Sequence, residues 1–382
     1  MKKLWVVLAG VILSSAILWL PFWLRLPEFP GWGWDMSKGM DTVFANFDGP
    51  NYLIVAKTWY DKTLIRSSFS NPLPLEYYPA HLPLYPALIS VFNALMRGTW
   101  AMLFTTLLGS IFCFYVFFVM AKEMVGEKKA KWLCLVWLIL PARWLVVRSV
   151  GAAEPWFIGF ILASIHAFKK EKYGWEGIFG ALAQLTKSPG ILLFGGYGLY
   201  LLIEGGWPRL AGFQGRAIKR WLKAWPILLI PVAGLGLFYF YQWRVGDFLA
   251  YFHSGDNFHL FWPPFSIFSP RGQFWTGDFW LEEVIWIWMI YGLGILRLWK
   301  KGWKVEASFA SVFYLSTLLV AHRDLSRYIL PIAPLVLLGW SGVILKKEYR
   351  WLLYLLILPV FLYSWNFLLN NTAPIADWSP YL

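Results

Sequence analysis

The strongest constraint on this chain is a series of long apolar segments that recurs along its whole length. A helix crosses a bilayer core of about 30 Å with roughly 17 to 25 apolar residues, and shorter helices cross where neighbouring helices shield them. Eleven segments fit this description: 4–24, 99–121, 132–147, 152–168, 176–186, 190–203, 225–243, 281–296, 305–321, 328–345 and 351–369. The sequence therefore predicts an all-α, polytopic transmembrane protein with about eleven crossings.

Composition excludes two broad classes of protein. Charged residues make up 14% of the chain, against about 25% in an ordinary soluble domain, which excludes a water-soluble enzyme. The net charge of +13 does not indicate a nucleic-acid partner. Nucleic-acid binding needs a solvated basic face, and a chain that is 59% hydrophobic does not suit one. Cys113 and Cys134 both lie in apolar segments, where thiols pack as small hydrophobic groups, so neither a disulfide framework nor a zinc site is expected.

The distribution of charge predicts the topology. Segment 82–96 is only 15 residues long and carries Pro83 and Pro86 near its start, which favours a juxtamembrane helix over a crossing. With the N-terminus in the cytoplasm, the inner regions hold 21 of the 34 Lys and Arg residues but only 7 of the 21 acidic residues, as the positive-inside rule requires. Those regions are the N-terminal tip and the loops around Lys128, Lys170, Arg216, Lys300 and Lys347.

Two long loops are then extracytoplasmic, residues 25–98 with the juxtamembrane helices and residues 244–280. Loops this long in a compact fold are usually functional, so we expect the active site on this side of the membrane. The first apolar segment is alternatively a cleaved signal peptide. Cleavage there would not change the prediction that the following loop is extracytoplasmic.

Asp48 is the candidate catalytic residue of the first loop. Pro50 suits the first turn of a helix, and Tyr52, Val55 and Ala56 then share one face, as an interfacial helix requires. One interpretation is that the Asp48 carboxylate only caps this helix. The other is that it acts as a general base and takes the proton from an acceptor hydroxyl. The two roles are compatible, because a cap would fix the side chain.

Three further residues are candidates for contacts with a substrate headgroup. Tyr78 and His81 lie in a proline-rich aromatic stretch that leads into the juxtamembrane helix, and the simpler interpretation is an aromatic belt at the membrane interface. Lys187 lies beside Ser-Pro-Gly at a predicted helix break, where it could meet an anionic headgroup. A lysine whose side chain only extends to the interface is the alternative there.

Five ionisable residues lie at the outer ends of predicted crossings. Ionisable groups at membrane depth are costly unless they are paired or functional. Arg143, Arg148 and Glu154 are therefore candidate binding residues, with a purely structural Arg–Glu pair as the alternative. Arg323 and Arg327 suit a lipid phosphate or pyrophosphate, because guanidinium groups bind phosphate oxygens in pairs; a surface pair of Arg323 with the adjacent aspartate is the alternative.

The second long loop is rich in aromatic rings, which suit either sugar rings or lipid chains. His253, Asp256 and His259 are too loosely spaced for a metal site. The sequence therefore predicts neither a metal nor a cofactor.

Six short motifs, taken in order, resemble those of the GT-C superfamily, integral-membrane glycosyltransferases that use polyprenyl-phosphate sugars as donors. The resemblance is greatest to the second mannosyltransferase of glycolipid-anchor assembly and its prokaryotic relatives. The motifs are Phe-Asp-Gly-Pro-Asn-Tyr-Leu-Ile-Val-Ala at 47–56, Tyr-Pro with Leu-Pro-Leu-Tyr-Pro at 78–86, Ala-Glu-Pro at 153–155, Leu-Thr-Lys-Ser-Pro-Gly at 185–190, Gly-Asp-Phe-Leu-Ala-Tyr at 246–251 and Arg-Tyr-Ile-Leu-Pro at 327–331. Lys187 and Phe248 stand where the family has Arg and Pro, and the first loop lacks an Asp-x-Asp pair.

The resemblance implies a polytopic GT-C fold and an inverting hexosyltransferase, with mannose as the candidate sugar and Asp48 as the base. The implied partners are a polyprenyl-phosphate sugar donor, a lipid-linked or protein-linked glycan acceptor, and the surrounding membrane lipids. A lipid-sugar flippase or transporter is the alternative function, since it also places ionisable residues among crossings.

Overall fold

The computed structural model describes residues 2–28, 31–69, 73–205, 220–255, 259–269 and 281–382. Arg216 and Asp256, and residues 257, 258 and 270–280 of the second loop, lie outside these ranges. The helices of the first half are α1 (Lys2–Trp23), α2 (Met40–Phe44), α3 (Gly49–Thr58), α4 (Lys62–Ser68), α5 (Leu84–Asn93), α6 (Gly98–Val125), α7 (Glu127–Trp137), α8 (Ala142–Val147) and α9 (Glu154–Lys169).

The helices of the second half are α10 (Tyr173–Thr186), α11 (Leu192–Gly205), α12 (Leu229–Val245), α13 (Leu281–Lys300), α14 (Lys304–Thr317), α15 (Leu325–Tyr328), α16 (Ala333–Gly339), α17 (Ser341–Ile344) and α18 (Lys347–Asn370). Among the described residues the extended pairing is limited to two isolated bridges, Asn46 with Thr372 and Leu260 with Val320. The predicted all-α fold is confirmed.

Four helices are long and apolar enough to cross a membrane: Lys3–Trp23, Gly98–Val125, Trp225–Val245 and Lys347–Asn370. The first and last of these expose large apolar side chains along much of their length, including Trp5, Leu13, Trp351 and Leu355. Such faces suit contact with lipid chains. The remaining predicted crossings form shorter helices where the structure describes them, so the number eleven stays a prediction.

Helix α6 lies at the centre of the bundle and packs on α1, α5, α7 and α9. Glycines allow the close approach of α6 and α9. A Cβ atom at Gly109 would lie 2.6 Å from the Trp156 ring, and one at Gly159 would lie 2.7 Å from the Phe112 ring. Small residues at helix interfaces are the usual means by which helices pack closely in a membrane.

Two of the segments predicted as crossings are broken into shorter helices. Segment 132–147 forms α7 and α8 with a gap at 138–141, and segment 328–345 divides into α15, a 3₁₀ turn at Leu330–Ile332, α16 and α17. Pro141 precedes α8, and Pro331 and Pro334 lie within the second set of breaks. Proline lacks the N–H group that continues a helix, so helices restart at these positions.

The first loop folds into α2 to α5 and a 3₁₀ turn at Leu75–Ala80. The helix predicted at 82–96 is confirmed as α5. The helix predicted after Asp48 is confirmed as α3, and its interfacial position stays a prediction. The helix is buried on more than the one face that the spacing predicted. Almost every residue of α3 is buried, including Tyr52 and Val55, because α5, α6 and the C-terminal turn Ser379–Tyr381 pack around it.

Candidate active site

Four separate chain segments bring two carboxylates and two cations together. Arg327, in α15, donates from Nε to Glu154 Oε1 at 2.7 Å and from Nη2 to Asp48 Oδ2 at 3.1 Å. Lys187, which follows α10, donates from Nζ to Glu154 Oε1 at 2.7 Å. We call Asp48, Glu154, Lys187 and Arg327 the central network. The sequence singled out all four residues as candidates, and the structure brings them into contact.

Glu154 is the buried anchor of the central network. Its side chain is only 3% exposed, and its Oε1 atom accepts from both Lys187 and Arg327, while Oε2 has no hydrogen-bond partner among the described residues. Glu154 begins α9, with Pro155 in the first turn, a position that suits proline. A buried carboxylate is stable only with charged or hydrogen-bonded partners, so Glu154 holds the two cations together.

Asp48 is the most accessible carboxylate of the central network, with a side chain 36% exposed. It precedes α3 in the N-cap position, yet its side chain makes no capping hydrogen bond. The carboxylate instead faces Arg327 and His81. Partial burial raises the pKa of Asp48, but the charge of Arg327 and the neighbouring His81 lower it more, so the pKa lies well below its usual range. Asp48 is therefore ionised at neutral pH.

His81 lies on the other side of the Asp48 carboxylate. Its Nε2 atom is 3.8 Å from Asp48 Oδ1, too far for a direct hydrogen bond. The ring is buried with its edge against Tyr52, at 5.0 Å between centroids, and the Tyr60 hydroxyl donates to the His81 carbonyl at 2.6 Å. The residue is thus fixed beside Asp48, with a gap that a hydroxyl group of a substrate could bridge.

Arg143 forms a second ion pair next to the central network. It donates from Nε to Asp324 Oδ1 at 2.8 Å, with Nη2 on the same oxygen, and from Nη1 to the Tyr363 hydroxyl at 3.2 Å. The simpler sequence interpretations paired an arginine of this region with Glu154, and Arg323 with Asp324. The structure instead pairs Arg143 with Asp324.

Phe47 links these two ion pairs, although no sequence pattern indicated a role for it. Its ring lies 4.4 Å from the guanidinium carbon of Arg327 and 5.4 Å from that of Arg143. The Phe367 ring stacks on it at 5.2 Å and lies 3.8 Å from the Arg143 guanidinium. Cations over aromatic faces are attracted by the ring quadrupole, so the two phenylalanines keep both arginines in place.

Arg148 does not reach the central network. The side chain is fully buried and donates to Ser15 Oγ at 3.1 Å, Ser14 Oγ at 2.7 Å and the Leu138 carbonyl at 2.8 Å. These bonds join α1 to the segment after α7. The position indicates a structural role in place of the predicted contact with substrate.

Tyr78 and Arg323 make no hydrogen bond or ion pair with the central network among the described residues. Tyr78 is buried, and its hydroxyl accepts from the backbone N–H of Leu73 at 3.2 Å. Arg323 is exposed and makes no ion pair with a described residue. Arg323 is therefore available to an anionic ligand, whereas Tyr78 supports the loop.

The second loop contacts the site at two places. The Tyr251 hydroxyl shares a hydrogen bond with Ser188, next to Lys187, and the His259 ring lies 4.3 Å from the His322 ring. Burial, with His259 and Arg327 nearby, lowers the pKa of His322 to about 3. His322 is therefore neutral at pH 7 and adds no positive charge beside Arg327.

The described part of the chain holds no group of three or more His, Cys, Asp or Glu side chains that could bind a metal ion. The carboxylates of the central network are paired with Arg327 and Lys187.

Gly151 lets the Asp48 and Glu154 segments pass each other closely. A Cβ atom at Gly151 would lie 2.3 Å from Met102 Sδ and 2.8 Å from Gly49 Cα. We expect Gly151→Ala to displace Asp48 from Glu154, lowering activity and the unfolding temperature, and Met102→Ala not to rescue it, because the backbone clash remains. Gly174→Ala is the matched control, since a Cβ there meets nothing within 4 Å. Wild-type unfolding and turnover in Gly151→Ala would contradict this account.

Arg148 and Arg323 give opposite expectations when they are replaced. We expect Arg148→Met to lower the unfolding temperature without changing KM for a phosphate-bearing ligand, because its partners are Ser14, Ser15 and main-chain carbonyls. We expect Arg323→Ala to raise that KM several-fold without changing the unfolding temperature, because the residue is exposed. Thermal unfolding and ligand titration of both variants separate the two roles, and exchanged outcomes would contradict the assignment.

Two solved structures of membrane proteins share the fold of this chain. The structure is similar to ArnT from Cupriavidus metallidurans bound to undecaprenyl phosphate, with a TM-score of 0.55 and 16% identity, over 90% of this chain and 62% of that one. It is also similar to the archaeal oligosaccharyltransferase AglB from Archaeoglobus fulgidus in complex with an inhibitory peptide and a dolichol-phosphate, with a TM-score of 0.50 and 14% identity, over 99% of this chain and 57% of that one.

The chain has the GT-C membrane fold. It spans less than two thirds of the length of either solved structure. No protein-family model matches it, and neither does any curated protein. The predicted resemblance to the GT-C superfamily is thereby confirmed at the level of the fold.

Proposed function

We propose that this protein is a membrane glycosyltransferase that moves a hexose from a polyprenyl phosphate to a hydroxyl group of a lipid-linked or protein-linked acceptor. The observation that carries the proposal is the central network, in which the partly exposed carboxylate of Asp48 lies beside two cations held by the buried Glu154. The undecaprenyl phosphate of ArnT and the dolichol-phosphate of AglB, two structures of the same fold, support a lipid-phosphate donor.

The cations of the site suit the leaving group of this reaction. When the bond between the anomeric carbon and the phosphate oxygen breaks, negative charge grows on the phosphate. Arg327 and Lys187 present a guanidinium and an ammonium group already held by Glu154, and the exposed Arg323 lies four residues before Arg327. Charges fixed in advance where negative charge develops are the commonest large contribution to catalysis.

Asp48 is the base in this proposal. The acceptor hydroxyl gives its proton to the carboxylate as its oxygen forms a bond with the anomeric carbon, and the phosphate leaves with the electron pair of the broken bond. His81, 3.8 Å from Asp48 Oδ1, is placed to orient that hydroxyl. Glu154 is buried against Lys187 and Arg327, so Asp48 is the accessible carboxylate of the network. One base and a single displacement lead to inversion at the anomeric carbon.

The charge distribution supports an extracytoplasmic active site. In the predicted topology, the first loop, which carries Asp48 and His81, is on the side opposite the loops rich in Lys and Arg, and the positive-inside rule assigns those basic loops to the cytoplasm. The polyprenyl tail would then lie against the exposed apolar faces of the long helices, with its phosphate near the membrane surface. Mannose is the proposed sugar on the resemblance of the sequence motifs alone.

The test is transfer by the purified protein from a panel of polyprenyl-phosphate hexoses, with extracted membrane lipids and glycoproteins as acceptors. We expect one donor to give a new glycosidic product with release of polyprenyl phosphate, and the product to have the anomeric configuration opposite to that of the donor. Transfer from a nucleotide sugar but from no lipid phosphate would contradict the donor class, and retained configuration would contradict the single displacement.

A further inference from the structure

Phe47 adopts an unusual backbone conformation next to the proposed base. Its φ angle is +51°, in the left-handed region that bulky side chains rarely occupy. Such conformations persist where the surroundings impose them, and they cluster at functional sites. In this conformation the Phe47 ring lies 5.4 Å from the Arg143 guanidinium carbon and 4.4 Å from that of Arg327, while the next residue, Asp48, pairs with Arg327.

The C-terminal part of the chain holds Phe47 in this position. Asn46 is fully buried and donates from Nδ2 to the carbonyl of Leu368 at 2.8 Å. The backbone of Asn46 forms a bridge with Thr372, and the Ala373 N–H donates to the Ala45 carbonyl at 2.8 Å. With the stacking of Phe367 on Phe47 at 5.2 Å, these contacts fix both the main chain and the ring.

We propose that Phe47 is a positioning residue for the transfer reaction, whose ring holds the Arg327 guanidinium between Asp48 and Glu154. The distance of 4.4 Å from ring to guanidinium carbon leaves the N–H groups of Arg327 free to donate in the plane of the guanidinium. Those groups reach Glu154 and Asp48. The Arg327 side chain is only 14% exposed, and an apolar ring beside a guanidinium with little exposure to water strengthens its charge interactions.

This inference rests on the proposed function, because the same guanidinium is the one assigned to the leaving phosphate. It assigns a role to the residue before the base, and to the C-terminal segment that supports it. Removal of a desolvated cation–π contact weakens the hold on the cation by about tenfold in equilibrium terms.

The test compares Phe47→Leu, Phe47→Tyr and Phe47→Gly in the full chain. Leucine keeps apolar bulk but removes the ring, tyrosine keeps the ring, and glycine relieves the backbone conformation but removes the ring. We expect kcat for transfer to fall about tenfold or more in Phe47→Leu and Phe47→Gly with KM for the acceptor unchanged, and to stay within about threefold in Phe47→Tyr. Phe168→Leu is the control, because its ring stacks on Tyr197, at 4.4 Å, away from the site.

A second readout does not depend on turnover. We expect undecaprenyl phosphate to bind Phe47→Leu about tenfold more weakly than the wild type, and to bind Phe47→Tyr with near-wild-type affinity. Equal kcat and equal lipid-phosphate affinity in the leucine variant would overturn the role of Phe47, and so would a loss in the tyrosine variant equal to that in leucine. If the wild type transferred no sugar, the proposed function and the role of Phe47 in transfer would both fail, and the binding comparison would then decide only whether the Phe47 ring supports the binding of a lipid phosphate through Arg327.

Discussion

Asp48→Asn is expected to lower sugar transfer by about 10²- to 10⁴-fold, the range for loss of a general base, while the protein stays folded. Asparagine has nearly the same shape as aspartate but cannot take a proton at neutral pH. The carboxylate makes no capping hydrogen bond to α3, so the helix loses no cap. The lost ion pair with Arg327 involves a side chain that is 36% exposed, and such pairs contribute about 1 kcal/mol or less.

The control for this variant is Asp41→Asn, an exposed aspartate in α2 seven residues earlier in the chain. Turnover and thermal unfolding of both variants, in the same detergent, give the comparison. A purely structural Asp48 predicts a small change in the unfolding temperature and wild-type turnover. Wild-type turnover in Asp48→Asn would therefore remove Asp48 from the mechanism.

Arg327→Gln is expected to have the second large effect, on both activity and stability. Arg327 joins both carboxylates of the central network, and its side chain is 14% exposed. Loss of one group that stabilises a developing negative charge typically costs about 10²- to 10³-fold in kcat. Removing one partner of a buried ion pair costs about 3 to 5 kcal/mol, because Glu154 would then keep only Lys187. Arg327→Lys keeps the charge but cannot donate to both carboxylates from one planar group.

The same variant gives a prediction about pH. Partial burial raises the pKa of Asp48, and Arg327 is the largest influence that lowers it. Without the guanidinium, burial remains and the pKa of Asp48 rises. Since the carboxylate is the active form above its pKa, the acid limb of the residual activity should move to higher pH in Arg327→Gln. In the wild type the pKa of Asp48 is lowered, so the carboxylate should stay ionised even below about pH 4, where an ordinary aspartate becomes protonated.

The measurement is kcat against pH for the wild type, Arg327→Gln and Arg350→Gln. Arg350 is an exposed arginine at the start of α18, and its replacement should leave the profile unchanged. An acid limb at the same pH in all three proteins would contradict the proposed control of Asp48 by Arg327.

The residues of the central network were predictable from the sequence because each lies where a helix begins or ends. Asp48 precedes Pro50, Glu154 precedes Pro155, and Lys187 precedes a Ser-Pro-Gly turn. Helix ends that meet the membrane surface collect functional polar groups, since such groups are costly further inside. The sequence could not show which acid pairs with which base, because pairs such as Arg143 with Asp324 join residues far apart in the chain.

Arg148 was predicted as a binding residue only because it lies at the outer end of a predicted crossing, and that position does not show which way the side chain points. Arg148 lies five residues after Arg143, at the C-cap of α8, and at 3.6 residues per turn this spacing places the two side chains about 140° apart around the helix axis. One arginine faces Asp324 and the other faces α1. Phe47 was missed for a different reason, since it is one of 31 phenylalanines and no local pattern indicates a positive φ angle.

The breaks in two predicted crossings coincide with prolines in the sequence. Pro141, Pro331 and Pro334 lie inside apolar segments that hydropathy treats as continuous. Membrane helices tolerate proline where neighbouring groups satisfy the freed backbone groups. The prolines alone therefore do not show whether such a segment forms one continuous helix or several short ones. The breaks matter for the site, because Arg143 and Arg327 lie directly beside them.

The most direct test of the central claim follows labelled sugar from polyprenyl-phosphate hexoses in proteoliposomes that contain wild-type protein or Asp48→Asn. We expect a new labelled glycosidic product and released polyprenyl phosphate with the wild type, and neither with the variant. Equal movement of the labelled lipid across the bilayer by both proteins, with no new glycosidic product, would contradict the account and favour a flippase.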